Sequence, residues 1–255
     1  MILKEKEKID DLEFNNLKII QNKEGFCFGI DSVLLSDFAK EVKNDWIGID
    51  LGTGTGIISI LLTAKSNPAK IIGIEIQKEV ADMAKRSVEL NNLENKIEIL
   101  NMNIKDILND NTKTNSKLLR ENYDFIVTNP PYKKLETGKI NENEYKYISR
   151  HEAMASLEDF IQVSKYLLKD KGAFYMVHRP DRLVDIIELM RKYKLEPKKI
   201  RFVYSTIDKV PTLVLIKGIK NAKSFLNIDK PLIIYDSNGE YTEEIYKIYN
   251  KKKCK

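Results

Sequence analysis

From residue 46 onward the chain alternates short β-branched runs with longer stretches whose apolar residues recur at helical spacing, and few architectures accommodate that alternation. Residues 46–51 form an apolar run ending in glycines, and residues 56–64 then place Ile57, Ile60, Leu61 and Ala64 on one helical face. A second run covers 70–76. A helix over 78–92 follows, with Val80, Met83, Ala84, Val88 and Leu90 as its apolar set and Asn91 and Asn92 as its stop. Strands are predicted at 96–100 and 124–128. Ser156-Leu-Glu-Asp159 reads as a capping box with Asp in place of the usual Glu or Gln, opening a helix with Phe160, Val163, Leu167 and Leu168 on one face and Gly172 at its end. A strand at 173–177, a helix at 181–193 and strands at 199–205, 212–217 and 231–235 complete the pattern. Such an order implies an α/β fold with a mostly parallel sheet covered on both faces, and the late pair joined by a turn at 208–211 implies an antiparallel hairpin at one edge.

With 255 residues and 42% hydrophobic content the chain can bury a sizeable core, and no Ser/Gly/Pro-rich linker divides it. One domain over 1–255 is expected, with the polar stretch 109–122 as a connection. No apolar run is long enough to cross a bilayer, and the first ten residues lack a signal peptide's apolar segment, so a cytoplasmic protein with no membrane association is expected. Cys27 and Cys254 make no metal-ligand spacing and are expected as free thiols. Only two histidines, His151 and His178, are present, which argues against a zinc site or a Ser-His-Asp triad; no metal is expected. The net charge of +5 is a mild excess, and the lysine-rich C-terminal tail reads as solvated surface.

In parallel sheets, ligands bind beyond the carboxyl ends of the strands. The first alternating strand ends in Asp50-Leu-Gly-Thr-Gly-Thr-Gly56, where Gly52, Gly54 and Gly56 permit a tight turn and close backbone approach to a ligand. A dinucleotide-binding G-x-G-x-x-G would need a glycine at position 57, which is Ile57. A carboxylate at Asp50 would repel a pyrophosphate but suits a cationic ammonium beside a sulfonium, as in S-adenosylmethionine. Glu75 at the end of the next strand can accept hydrogen bonds from ribose hydroxyls. The strand at 124–128 stops at Asn129-Pro-Pro-Tyr132, because neither Pro130 nor Pro131 has an N–H to give to a sheet. Alone, that tetrapeptide is a loop-initiating punctuator.

Together, the D-x-G-x-G-x-G loop, the acid after the second strand and the N-P-P-Y after the fourth resemble the class I S-adenosylmethionine-dependent methyltransferases that act on amino groups. The resemblance covers about residues 26–217 and implies a seven-stranded Rossmann-like sheet. It assigns the cofactor to Phe28, Gly29, Asp31, Asp50, Gly52, Gly54, Gly56, Glu75, Ile76, Asn103, Ile104 and Asn129. Asn103 stands where many relatives carry an acid for the adenine amine, with Asp106 as the other candidate. Asp31 is expected as a helix N-cap, residues 1–40 as an extension and cofactor lid, and 218–255 as a C-terminal appendage. Asn129, Pro130, Pro131 and Tyr132 are the implied catalytic set: the Asn129 oxygen and the Pro130 carbonyl accept from the target amine, and Tyr132 stacks on its ring.

Residues 24–35, Ser149-Arg-His-Glu152, His178-Arg-Pro-Asp-Arg182 and the stretch 231–241 are similar to the bacterial tRNA1(Val) adenine-N6 methyltransferase family. That similarity implies an RNA partner, a tRNA; a monomer is expected. Lys133 and Lys134 are phosphate-contact candidates. For Arg150 and His151, RNA contact and structural pairing with Glu152 both fit, and His178 reads as a structural residue. Glutamine-amide methylation of a protein, DNA adenine methylation and a catalytically idle RNA-binding fold are the alternatives. The first usually needs an N-terminal helical domain and the second a target-recognition domain, neither visible here.

Overall fold

The computed structural model describes residues 3–24, 29–108, 118–132 and 155–251. An antiparallel hairpin, β1 (Glu7–Asp11) and β2 (Lys18–Asn22), precedes the alternating part. Helix α1 (Ile30–Phe38) leads into β3 (Ile47–Leu51), α2 (Ile57–Ser66), β4 (Lys70–Glu75), α3 (Lys78–Leu90), β5 (Ile97–Asn101) and β6 (Tyr123–Thr128). After residues 133–154 come α4 (Leu157–Leu167), β7 (Leu168–His178), α5 (Leu183–Lys192), β8 (Leu195–Tyr204) and β9 (Pro211–Lys220). Two short strands, β10 (Asn227–Ile228) and β11 (Leu232–Ile233), precede α6 (Glu243–Ile248).

The main sheet has the order β10-β8-β9-β7-β6-β3-β4-β5, with β11 also on β8. β9 runs antiparallel to both β7 and β8, and the other pairs are parallel, so the expected edge hairpin is present. The strand count is nine and not the expected seven. The two additions are two-residue strands on the outer edge of β8: β11 is what remains of the strand expected at 231–235, and β10 is too short to leave any periodicity in the sequence. The chain order reverses between β3 and β6, which pair side by side while β4 and β5 build one way and β7 the other. That reversal opens a crevice at their carboxyl ends.

Alternate residues of each central strand feed opposite cores. Phe125 and Val127 of β6, with Tyr175 and Val177 of β7, join a cluster with residues of α1, α2, α3 and α6. Ile126, Phe174 and Met176 face the other way, toward Phe160, Ile161 and Val163 of α4 and Ile186 and Met190 of α5. Gly48 lies opposite Phe125 in the β3–β6 ladder, and a Cβ there would sit 2.2 Å from the ring's Cζ. That ring is fully buried and stacks on Trp46, so it has no room to retreat. Gly48→Ala is therefore expected to destabilise by about 1–3 kcal/mol, as overpacked cores do. Urea melts of Gly48→Ala and of Gly48→Ala with Phe125→Leu check it: the second change should recover most of the loss.

The capping box is present as read: the Ser156 hydroxyl accepts from the Asp159 N–H, and Asp159 accepts from the Ser156 N–H at 2.7 Å. The expected end at Gly172 is not. Helix α4 stops at Leu167, and Gly172 lies within β7, where the ladder to β6 shifts register. A Cβ on Gly172 would meet the Lys169 carbonyl at 3.0 Å and that of Asp124 at 3.2 Å, so this glycine serves a bulge and not a helix terminus. Asp31 is also not the N-cap. Gly29 occupies that position without a side-chain bond, and Asp31 is the second helical residue, its Oδ1 accepting the Ser32 N–H. The N-terminal hairpin carried no alternation strong enough to predict. Tertiary bonds hold it: Arg86 of α3 clasps Glu7 with both terminal nitrogens, and the Ile20 N–H donates to Ser87 Oγ at 3.0 Å.

Candidate active site at the carboxyl ends of β3, β4 and β6

The glycine loop leaves β3 in a conformation open to few residues besides glycine. Gly52, Gly54 and Gly56 have φ of 72°, 58° and 89°, left-handed values that strain a side chain. Gly56 then caps α2. A Cβ on Gly54 would meet nothing within 4 Å, so the loop borders an open space at this point. The Gly52 and Thr53 N–H groups both donate to the Ile74 carbonyl at 2.9 Å, tying the loop to the end of β4.

Asp50 is fully buried beneath this loop. Its Oδ2 accepts from the hydroxyls of Thr53 at 2.7 Å and Ser59 at 2.8 Å, while Oδ1 has no partner among the described residues. Burial raises its pKa from 3.8 to about 6, against the two hydroxyls that hold it down. An unpartnered buried carboxylate oxygen is costly. It fits a cationic group of a ligand, such as the ammonium of S-adenosylmethionine.

Glu75 is nearly buried at the end of β4, and its two oxygens receive the N–H groups of Gly54 at 3.1 Å and Gln77 at 2.9 Å. Those two bonds set the carboxylate beside the glycine loop. Asn101 of β5 braces the same corner by donating to the carbonyls of Glu75 and Ile76, both at 2.9 Å. Asn103 and Ile104 follow β5 as expected, but the Asn103 oxygen already accepts the Lys105 N–H at 3.0 Å and so starts the 3-10 turn over Ile104–Leu108. One lone pair is left on that oxygen for a ligand.

At the end of β6 the register pairs Leu51 with Thr128, which sets Asp50 and Asn129 on neighbouring strand ends. Asn129 Nδ2 lies 3.1 Å from Asp31 Oδ2 and 3.4 Å from Ser32 Oγ. A carboxylate only accepts, so the amide must turn its NH₂ toward α1 and present Oδ1 on its other side. The Tyr132 hydroxyl donates to the same Asp31 oxygen at 2.7 Å. Burial first, and the Asp31 charge second, push the Tyr132 phenol well above its usual range, so it stays a neutral donor. A Cβ at Gly29 would come within 2.8 Å of Asp31 Oδ1, so a side chain there would press on the carboxylate that holds Asn129 and Tyr132.

Among the sequence-predicted residues, Gly29, Asp31, Asp50, Gly52, Gly54, Gly56, Glu75, Ile76, Asn129, Pro130, Pro131 and Tyr132 line or border the crevice ends of α1, β3, β4 and β6. Phe28, Lys133, Lys134, Arg150 and His151 lie outside the described residues. Sequence reasoning missed that Thr53 and Ser59 hold Asp50 and that Asp31 holds Asn129. For the first pair the three- and nine-residue spacings from Asp50 were a readable signal; the second spans 98 residues and left none. Among the described residues no helix is long and apolar enough to cross a membrane, and no group of three or more His, Cys, Asp or Glu could hold a metal ion.

The profile of the family described as "Methyltransferase small domain" matches residues 16–194, most of the chain and all of the crevice. The chain belongs to that family. Among curated relatives, a Porphyromonas gingivalis tRNA1(Val) (adenine(37)-N6)-methyltransferase is 27% identical over 244 residues, covering 94% of this chain and 93% of its own. A Haemophilus influenzae protein of the same name is 24% identical, with 90% and 92% covered. Solved structures agree in fold. An Agrobacterium tumefaciens protein described as a predicted O-methyltransferase superposes with a TM-score of 0.68 at 21% identity, over 86% of this chain and 95% of that one. The M. jannaschii TYW2 structure in complex with AdoMet gives 0.57 at 13% identity, over 86% and 88%. This member of the small-domain methyltransferases thus carries the class I sheet, with two short strands added at its edge.

Proposed function

We propose that the chain transfers a methyl group from S-adenosylmethionine to the exocyclic N6 of an adenine in tRNA, at the position named for its curated relatives, adenine 37 of tRNA1(Val). The observation that carries the reading is the pairing of two acceptors on adjacent strand ends. Asp50 offers an unpartnered buried oxygen to a cation, and Asn129 offers an amide oxygen oriented by Asp31. Coverage of nine-tenths or more of both chains by relatives of one name supports the acceptor.

S-adenosylmethionine would supply an electrophilic methyl on a sulfonium. Asp50 would hold its ammonium, Glu75 its ribose, and the backbone at Gly52 and Gly54 would allow close approach. The target amine is a weak nucleophile because its lone pair is delocalised into the ring. Asn129 Oδ1 and the Pro130 carbonyl would accept its two hydrogens and favour the pyramidal nitrogen on which positive charge develops. Pro130 and Pro131 fix the angle of that carbonyl. Tyr132, tethered to Asp31, offers a face on which a base can stack, worth about 1–3 kcal/mol. No general base is needed, since the alkylated amine is acidic enough to release its proton to water, and positioning carries the rate. A loop adenine is already unstacked enough to enter.

Incubating the protein with labelled S-adenosylmethionine and unmodified tRNA, with duplex DNA and release factor as parallel acceptors, tests this. Label recovered as N6-methyladenosine from tRNA is expected. Label confined to DNA or protein would replace the acceptor.

A further inference from the structure

A second buried polar atom faces no partner among the described residues. His178 ends β7, is fully buried, and its Nε2 has no hydrogen-bond partner among the described residues. Its Nδ1 accepts the Arg179 N–H at 2.8 Å, which puts the proton of the neutral ring on Nε2. Burial lowers its pKa from 6.5 to about 4, with the charges of Arg182 and Arg179 pushing the same way and that of Asp181 opposing them. The ring is thus a neutral donor across the physiological range, with no lone pair to act as a base.

Its position ties it to the acceptor pocket. β7 pairs with β6 through Met176 and Thr128, two residues before His178 and one before Asn129. The His178 ring centroid lies 5.1 Å from that of Tyr132, at an interplanar angle of 59°. A donor that is buried, uncharged and unmatched among the described residues, beside the ring on which the base would stack, is costly unless a bound molecule completes it.

We infer that His178 is a specificity-determining residue for the target base: its Nε2–H donates to a ring-nitrogen acceptor that flanks the reacting amine, N1 or N7 of adenine. This rests on the adenine-N6 reading above. At N1 adenine presents an acceptor where guanine at N1 and uracil at N3 present an N–H that would meet the histidine donor head on, whereas at N7 the bond would orient the adenine without excluding guanine, which carries the same acceptor. A site built to hydrogen-bond an acceptor rejects bases lacking it more strongly than an apolar pocket does.

The test uses an unmodified anticodon stem-loop RNA with adenine, 1-deazaadenine or 7-deazaadenine at the methylated position. The full-length protein is compared with His178→Asn, which keeps an acceptor for the Arg179 N–H but loses the distal donor, and with His178→Gln, which restores an N–H near Nε2. The unaltered protein is expected to lose on the order of 10- to 100-fold in kcat/KM on one deaza base and little on the other. His178→Asn is expected to lose a similar factor on adenine, with no additional loss on that deaza base and cofactor Kd unchanged, and His178→Gln to recover most of it. Equal activity of the unaltered protein on all three bases would overturn the inference without involving any variant, and so would a uniform loss by His178→Asn. No transfer to the adenine RNA by the unaltered protein, despite cofactor binding, would instead remove the adenine reading and the inference with it.

Discussion

Asn129→Ala is expected to lower kcat by about 10²- to 10³-fold, the range seen when one preorganised partner of a developing charge is removed. Cofactor Kd should change by no more than about threefold, because the amide's visible bonds run to Asp31 and Ser32 of α1 and not to the glycine loop. Single-turnover transfer alongside equilibrium cofactor binding separates the two quantities. Asp31→Ala should give part of the same loss, since it frees the amide to rotate and releases the Tyr132 hydroxyl. Full turnover by Asn129→Ala would show that amine activation does not pass through this residue.

Asp50→Asn should divide stability from function. In the folded chain this carboxyl titrates near 6, against 3.8 for the free side chain. It therefore favours the folded state below pH 4, and that contribution is lost as pH rises through 6, leaving a penalty of roughly 2–3 kcal/mol at pH 7 and above. Replacing it by Asn removes the buried charge, so the ligand-free variant should melt higher than the parent at pH 7.5 and show no advantage at pH 4. Cofactor affinity should fall at least about 10-fold, the order lost with a charge-assisted bond. In the parent, affinity should weaken below pH 6 as Asp50 takes up its proton. Calorimetric melts and cofactor titrations between pH 5 and 8 measure both. A variant that binds cofactor as tightly as the parent would remove Asp50 from the site.

These two outcomes bear on residues whose legibility differs. The sequence by itself determined the parallel sheet, because its β-branched runs and helical spacings are local patterns that a buried strand and an amphipathic helix each impose. It determined the glycine loop as well, since φ values of 58° to 89° admit few other residues, and the stop after Thr128, since proline cannot continue a ladder. Asp50 and Asn129 were found because each follows such a local signal.

Tertiary structure alone decided how those residues are held. Nothing near Asn129 in the chain shows that Asp31, 98 positions earlier, fixes the direction of its amide. Nothing near His178 shows that its ring ends fully buried beside Tyr132 with one nitrogen unmatched among the described residues. The edge strand β10 and the N-terminal hairpin escaped prediction for the same reason, and the strand expected at 231–235 is reduced to the two residues of β11. Two-residue pairings and a hairpin fastened by Arg86 and Ser87 draw their stability from partners far away in sequence, so a local pattern cannot record them.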